Sequence, residues 1–359
     1  MTPTPRDYSL IGRDADLAME NGLAAAQWYS IDIPRKDLKA LMKRTDGPAT
    51  RDTLLWLGLM IFSGTLGVLT WGTWWALPCF LVYGVLYGSA GDSRWHEHGH
   101  GTAFKTDWKN EAVYQLASFM MLREPTVWRW SHTRHHTDTI IVGRDPEIAA
   151  MRPAQLWALA SNIFMLKATR GALVKIFTHA QGRLQPDEKT YIPEMERASV
   201  YRTARIWAVL LLGVVVLCIS TWSILPAMLI GLPTMYGGFM ALYFGLTQHA
   251  GLAEDVLDHR LNTRTVYMNP VFRFLYLNMN YHIEHHMFPM VPYHALPALH
   301  EKIKNQCPAP YPSSVAAYAE ILPALWRQRN DTGHYVRRAL PEGETPVAMN
   351  HGAVIQPAE

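Results

Sequence analysis

Two stretches without a single Asp, Glu, Lys or Arg constrain this chain more than any other feature. They run from Thr53 to Gly91 and from Ile206 to Ala253. Crossing a hydrocarbon layer takes about 20 apolar residues, so each stretch has the length for two crossings. Each also has a turning point near its middle, Trp71-Gly72-Thr73-Trp74-Trp75 in the first and Thr221-Trp222-Ser223 in the second. Tryptophan at those points suits the aromatic belt of a bilayer interface. The expectation is an all-α integral membrane protein with four transmembrane helices arranged as two hairpins. The expected spans are residues 53–69, 76–90, 206–219 and 224–246. Pro226, Gly231, Pro233, Gly237 and Gly238 make the fourth a bent, closely packed helix. A soluble enzyme with two buried hairpins is the competing reading, but uncharged runs this long rarely go without lipid.

The average composition, 18% charged with a net charge of +3, hides this segregation. All 33 Lys and Arg lie in the N-terminal, central and C-terminal segments, and none lies in either hairpin turn. By the positive-inside rule those three segments and both termini are cytoplasmic, in what is expected to be a bacterial inner membrane. No secretory signal is expected, because residues 1–52 are polar. Three regions follow: a cytoplasmic N-terminal region (1–52), a four-span catalytic domain (53–305) and a C-terminal tail (306–359), disordered from about Thr332. Residues 24–29 and 33–44 read as a basic amphipathic helix on an anionic membrane surface, or else as a charged solvent-facing helix. Residues 153–177 are apolar but carry Lys167, Arg170 and Lys175, which favours a helix lying in the interface over a fifth span. Residues 181–196 read as a polar loop. Cys79, Cys218 and Cys307 are scattered and indicate neither a disulfide framework nor a thiolate metal site. Membrane lipid is the expected surrounding, and no nucleic-acid partner is expected.

Histidines carry the chemistry. His282, His285 and His286 stand at i, i+3 and i+4, which on a helix fall within an arc of about 100°. His132, His135 and His136 repeat the spacing, and His96 and His100 form an i, i+4 pair. His98 points about 160° away from that pair's mean direction. His249 sits at the end of the fourth span, where an imidazole is costly unless it pairs or coordinates. Converging imidazoles are metal ligands. Eight or nine of them exceed the four ligands of one zinc and call for two metals. Ligand type alone leaves iron, copper, nickel and zinc open. The topology places all three groups in one helical cap on the cytoplasmic side. A zinc amidase of the ceramidase kind needs about three histidines and a carboxylate, and so leaves most of these groups unexplained. A haem protein with paired transmembrane histidines does not fit histidines that lie beyond the spans.

The chain resembles the membrane-bound fatty acid desaturase superfamily, which includes alkane, sterol and carotenoid hydroxylases. The resemblance rests on HEHGH (96–100), HTRHH (132–136), QHAG (248–251) and HIEHH (282–286), in that order around two hairpins, and covers roughly residues 50–305. It implies a non-haem di-iron centre with His96, His100, His132, His135, His136, His249, His282, His285 and His286 as ligands. It implies O2 as co-substrate and desaturation of an aliphatic, fatty acyl or similar chain. Hydroxylation or oxidative demethylation at the same site is the alternative. So is desaturation of a small non-lipid compound, dihydrorhizobitoxine-like or rhizopine-like. Glu97, Asp138, Asp145, Glu254, Asp255 and Glu284 are candidates to accept the ligands' outer N–H groups. Asn278 and Asn280 are weaker candidates for a neutral ligand. No flavin, dinucleotide or iron–sulfur motif appears, so electrons are expected from a separate ferredoxin, rubredoxin or cytochrome with its reductase. Arg123, Arg129, Arg134, Arg144 and Arg152 are candidates for its docking face.

Overall fold

The computed structural model describes residues 6–24 and 26–344. Regular structure among them is helical, and extended backbone pairs only at two isolated bridges, Thr265–Tyr281 and Val266–Tyr311. Helices α1 (Arg13–Glu20) and α2 (Arg35–Leu41) precede α3 (Gly47–Leu69), which returns as α4 (Ala76–Gly84). A π-helical turn (Val85–Ser89) joins α4 to α5 (Ala90–Gly99). Next come α6 (Asp107–Met121), α7 (Pro125–Thr137), α8 (Leu156–Ser161), α9 (Leu166–Ala180) and α10 (Arg197–Ser220). The second apolar stretch ends in α11 (Leu225–Leu229), α12 (Leu232–Gly237) and α13 (Phe239–His249). Short helices finish the chain: α14 (His259–Asn262), α15 (Pro270–Tyr276), α16 (His282–Met287), α17 (Leu296–Ile303) and the longer α18 (Ser314–Gln328).

Among the described residues, two helical segments are long and apolar enough to cross a membrane, Gly47–Leu69 and Glu194–Ser220. Leu54, Ile61 and Phe62 on α3, and Val209, Leu212 and Ile219 on α10, are exposed. A soluble protein's core helix would bury such a row, because each large apolar side chain is stabilised by about 1.5–3 kcal/mol on leaving water. Trp71, Trp74, Trp75 and Trp222 are exposed just beyond the ends of these helices.

Of the other two expected spans, residues 76–90 lie in helical backbone that continues through the π-turn into α5, whereas the fourth is interrupted. Residues 224–246, expected as one bent helix, form three short ones. The break falls at Ile230, which is extended, and at Gly231, whose φ of +94° is a left-handed conformation that suits glycine. Pro233 then restarts the chain in the first turn of α12, where its missing N–H costs nothing. α12 lies directly on α4. A Cβ added to Gly237 would come within 1.9 Å of the Gly84 carbonyl group. At that contact Ser89 Oγ donates to the Gly237 carbonyl at 2.6 Å, in the π-turn that carries the chain toward the first histidine pair. The expected interfacial helix over 153–177 is likewise divided, at Met165, into α8 and α9.

Two further expectations are corrected. The basic amphipathic helix is confined to α2: residues 26–34 are irregular, and Pro34 disfavours helix at the residue before it. Residue 25 lies outside the described residues. Nor is the chain from Thr332 to residue 344 loose. Val336 N–H donates to the Gly251 carbonyl at 2.8 Å, and Glu344 accepts from Arg260 at 2.6 Å and from Tyr29 at 3.1 Å. Residues 345–359 lie outside the described residues.

The main core joins the helices that carry the histidines. Trp56, Tyr87, Met120, Phe244, Met279, Ile283 and Leu299 are all buried in it. Arg94 ties α5 to α15. Its guanidinium packs over the rings of Trp56 and Phe274 and donates to the Leu275 carbonyl at 2.8 Å.

Candidate metal centre

Helices α5, α7, α13 and α16 converge with their histidines inward. His96, His100, His132, His136 and His285 bring one ring nitrogen each to within 4.8 Å of one another, and His135, His249 and His286 do the same beside them. His282 Nε2 lies 3.2 Å from Nε2 of both His249 and His286, so it completes the second group. All nine positions singled out in the sequence stand in two groups, of five and four. Each triplet is shared between them. On α7, His132 and His136 face the first group while His135 faces the second. On α16, His285 joins the first and His286, with His282, the second. His98 stays outside, with Nδ1 2.7 Å from the Arg94 carbonyl oxygen.

Hydrogen bonds fix where several lone pairs point. His135 Nδ1 is 2.8 Å from Asp145, His132 Nδ1 is 2.8 Å from Glu147, and His249 Nδ1 is 2.8 Å from the Asn262 carbonyl. Carbonyl and carboxylate oxygens only accept, so these imidazoles carry hydrogen at Nδ1 and present a lone pair at Nε2. Thr139 Oγ1 donates to the His135 carbonyl and is therefore free to accept from His286 Nδ1, 3.3 Å away.

Of the six carboxylates read as outer-sphere partners, only Asp145 does this. Glu97 accepts from Thr102 and from Tyr293 N–H. Asp138 takes Arg134 and Arg144, while Glu254 and Asp255 take Arg6. Glu284 accepts from Thr265 and from His300 on the back of α16. Asn278 and Asn280 bond backbone carbonyls of Tyr293 and Val266. Glu147, Asn262 and Thr139 were missed by sequence proximity. So was buried His259, whose ring lies 5.1 Å from that of His286. Among the five arginines read as a docking face, Arg123, Arg129, Arg134 and Arg144 each pair with an acid. Arg152 is 3% exposed and paired with Glu254, which removes it from any surface.

Electrostatics favour the neutral form of eight of the nine rings. Burial, reinforced by neighbouring imidazoles, pushes His96, His132, His136, His249, His282, His285 and His286 well below the usual histidine range. His100 falls to about 4 for the same reasons. At His135 burial acts in the same direction, but the Asp145 carboxylate outweighs it and the net shift is upward. Neutral imidazole is the form that binds metal.

The arrangement fits metal. Nε2 atoms of His100 and His136 each lie 3.1 Å from Nε2 of His132, and Nε2 of His285 lies 3.2 Å from that of His136. Metal–nitrogen bonds of about 2.1 Å at right angles separate adjacent nitrogens by about 3.0 Å. A cavity of about 750 Å³ borders both groups, touching His96 and His132 of the first and His135, His249 and His282 of the second. Ala168, Gly171 and Ala172 of α9 and Leu242, Gly245 and Leu246 of α13 line it, as do Arg123, Glu124, Glu147 and Arg152.

No curated protein matches this chain. The fatty acid desaturase family does, over residues 48–317, a stretch holding all but the first residue of α3, the whole of α10 and all nine clustered histidines. That match implies an oxidoreductase, and with the two exposed apolar helices it points to a membrane protein. By these findings the chain belongs to the fatty acid desaturase family.

Proposed function

We propose that the protein is an O2-dependent desaturase that introduces a C=C bond into an aliphatic chain, with one iron in each histidine group and electrons from an external carrier. The observation that carries this reading is the cavity. It reaches both groups at once, between walls whose small and apolar residues leave room for a chain. Bound iron would supply the O2 reduction and C–H cleavage that side chains cannot. Asp145, Glu147, Asn262 and Thr139 hold the rings in register, and His96, His100, His132, His136 and His285 would carry one ion. His135, His249, His282 and His286 would carry the other. Trp128, stacked on His132 at 4.3 Å, helps close the first group against water. The reading places the four spans in a bacterial inner membrane, with the histidine cap and both termini cytoplasmic.

A second reading, a compact polar substrate, is favoured by Arg123, Glu124 and Arg152 in the same cavity wall. One experiment covers both. Iron-loaded protein is given a reduced carrier, 18O2 and either a long-chain acyl lipid or a pool of small amino-acid and polyol substrates. The expected result is about two irons per chain and an acyl product with a new double bond and no 18O. Product 18O without a double bond would make the protein a hydroxylase, and turnover of the polar pool alone would favour the second reading. A single zinc per chain would end the redox reading.

A further inference from the structure

The reading above requires electrons to cross from a carrier protein to two histidine groups of which six members are buried and His100, His136 and His249 partly so, and it leaves their route open. The geometry points to Trp28 as the side chain through which they pass. This indole is half-buried in the irregular strap ahead of α2. Its ring stacks on His259 with centroids 4.2 Å apart and planes 7° from parallel. His259 is buried, and its ring centroid is 5.1 Å from that of His286 in the second group. The indole N–H of Trp28 also donates to the Thr137 carbonyl at 3.0 Å. Thr137 directly follows His136, a member of the first group. One partly exposed ring is thus a single imidazole away from one group, and a hydrogen bond and a peptide away from the other.

Among the described residues, the other aromatic contacts that approach the histidine groups do not offer this. Trp128 stacks on His132 but is buried beneath Trp95, out of a partner's reach. Exposed Tyr267 leads through His300 to Glu284, which lies about 160–200° around α16 from His282 and His286 and so ends behind the ligands. His259 has no place in either histidine group, and its Nδ1 has no hydrogen-bond partner. Its ring contacts Trp28 on one side and His286 on the other.

Each passage takes one electron from a reduced iron–sulfur or haem carrier, which is oxidised by one electron, and delivers it to the metal centre. Two passages and two protons, with the two hydrogens lost by the substrate, reduce one O2 to two waters as one C=C bond forms. The inference rests on the metal-centre reading, and its test separates the two. Iron-loaded protein is mixed in a stopped-flow instrument with reduced [2Fe–2S] ferredoxin, and in parallel with reduced rubredoxin and reduced cytochrome b5. Dithionite serves as the small reductant that needs no docking.

In Trp28→Leu the rate of carrier oxidation is expected to fall by about tenfold or more, a ratio read directly from the two rates. Iron content and dithionite reduction stay at the native level. Trp28→Phe, which keeps the stacking ring and loses the N–H, recovers part of the rate. Two results would overturn the assignment: native carrier oxidation in Trp28→Leu, or a slower rate matched by lower iron content and slower dithionite reduction. Native protein that oxidises none of the three carriers would instead refute the external-carrier reading on which the inference stands.

Discussion

The two histidine groups share α7 and α16, yet the fold holds them differently. In the second group His135, His249 and His286 each have an outer partner at Nδ1, namely Asp145, the Asn262 carbonyl and Thr139. In the first, His132 has Glu147, but His136 and His285 have no partner at Nδ1, and neither nitrogen of His96 has one. Three of the second group's four lone pairs are therefore oriented by the protein itself, and only His282 lacks a partner at Nδ1. The first group's rings are aimed by ring packing, such as Trp128 on His132, and by whatever ion they share. Outer hydrogen bonds also raise ligand basicity, so a group with three of its four imidazoles anchored competes with one in which His132 alone of five has a carboxylate partner.

The sharpest way to break this comparison uses neighbours on one helix. His135→Ala and His136→Ala remove adjacent residues that belong to different groups. Each variant should retain about one iron per chain and lose product formation to background, and metal analysis with a product assay checks both. Equal loss of both irons from either variant would mean that the groups load as one unit. A smaller effect is expected one layer out. Asp145→Asn should weaken iron binding in the second group by about 10–100-fold, and Glu147→Gln should weaken the first toward the lower end of that range. Glu147 orients one ligand in five, and its side chain is 23% exposed where that of Asp145 is fully buried. Iron titration followed by spectroscopy distinguishes the sites. Smaller again is a kinetic difference: a chelator should strip the native holoenzyme in two phases, the faster from the first group. A single phase would deny the asymmetry.

The parts of this picture legible in the sequence were those set by local periodicity. Spacings of i, i+3 and i+4 turned His282, His285 and His286 inward together, although His285 joins one group and His282 and His286 the other. A span-length uncharged run predicted a membrane span over 53–69, and α3 is long and apolar enough to be one. What escaped depended on contacts between distant residues. Glu147 lies fifteen residues past His132, on the loop after α7, so proximity in sequence favoured Asp138, which is spent on Arg134 and Arg144. The Asn262 partner of His249 is a backbone carbonyl, which no side-chain pattern announces. The fourth span carried its warning in Pro226, Gly231 and Pro233, read as a bend. The close approach of Gly237 to Gly84, which needs the segment cut into pieces, is a tertiary fact. The two triplets were read as single faces. Their division between groups appears only when α5 and α13 bring their own histidines alongside.

His300 gives the smallest expected effect and the most even one. It sits on α17, hydrogen-bonded to Glu284 through Nδ1 and to the Tyr267 hydroxyl, 2.9 Å from Nε2. Glu284 is fully buried on the side of α16 away from the ligands, where its other oxygen accepts from Thr265 at 2.6 Å. Leaving one oxygen of a buried carboxylate unpartnered costs about 1–3 kcal/mol. His300→Leu should therefore lower the stability of the cap by about that amount, readable as a shift in thermal unfolding. Because α16 supplies His285 to one group and His282 and His286 to the other, any loosening of this helix reaches both. Iron affinity should fall by a similar few-fold factor at the two sites, unlike the one-sided losses in Asp145→Asn and Glu147→Gln. A His300→Leu variant that loosened only the second group would show that α16 is not held as one piece, and would trace the asymmetry between the groups to the back of that helix.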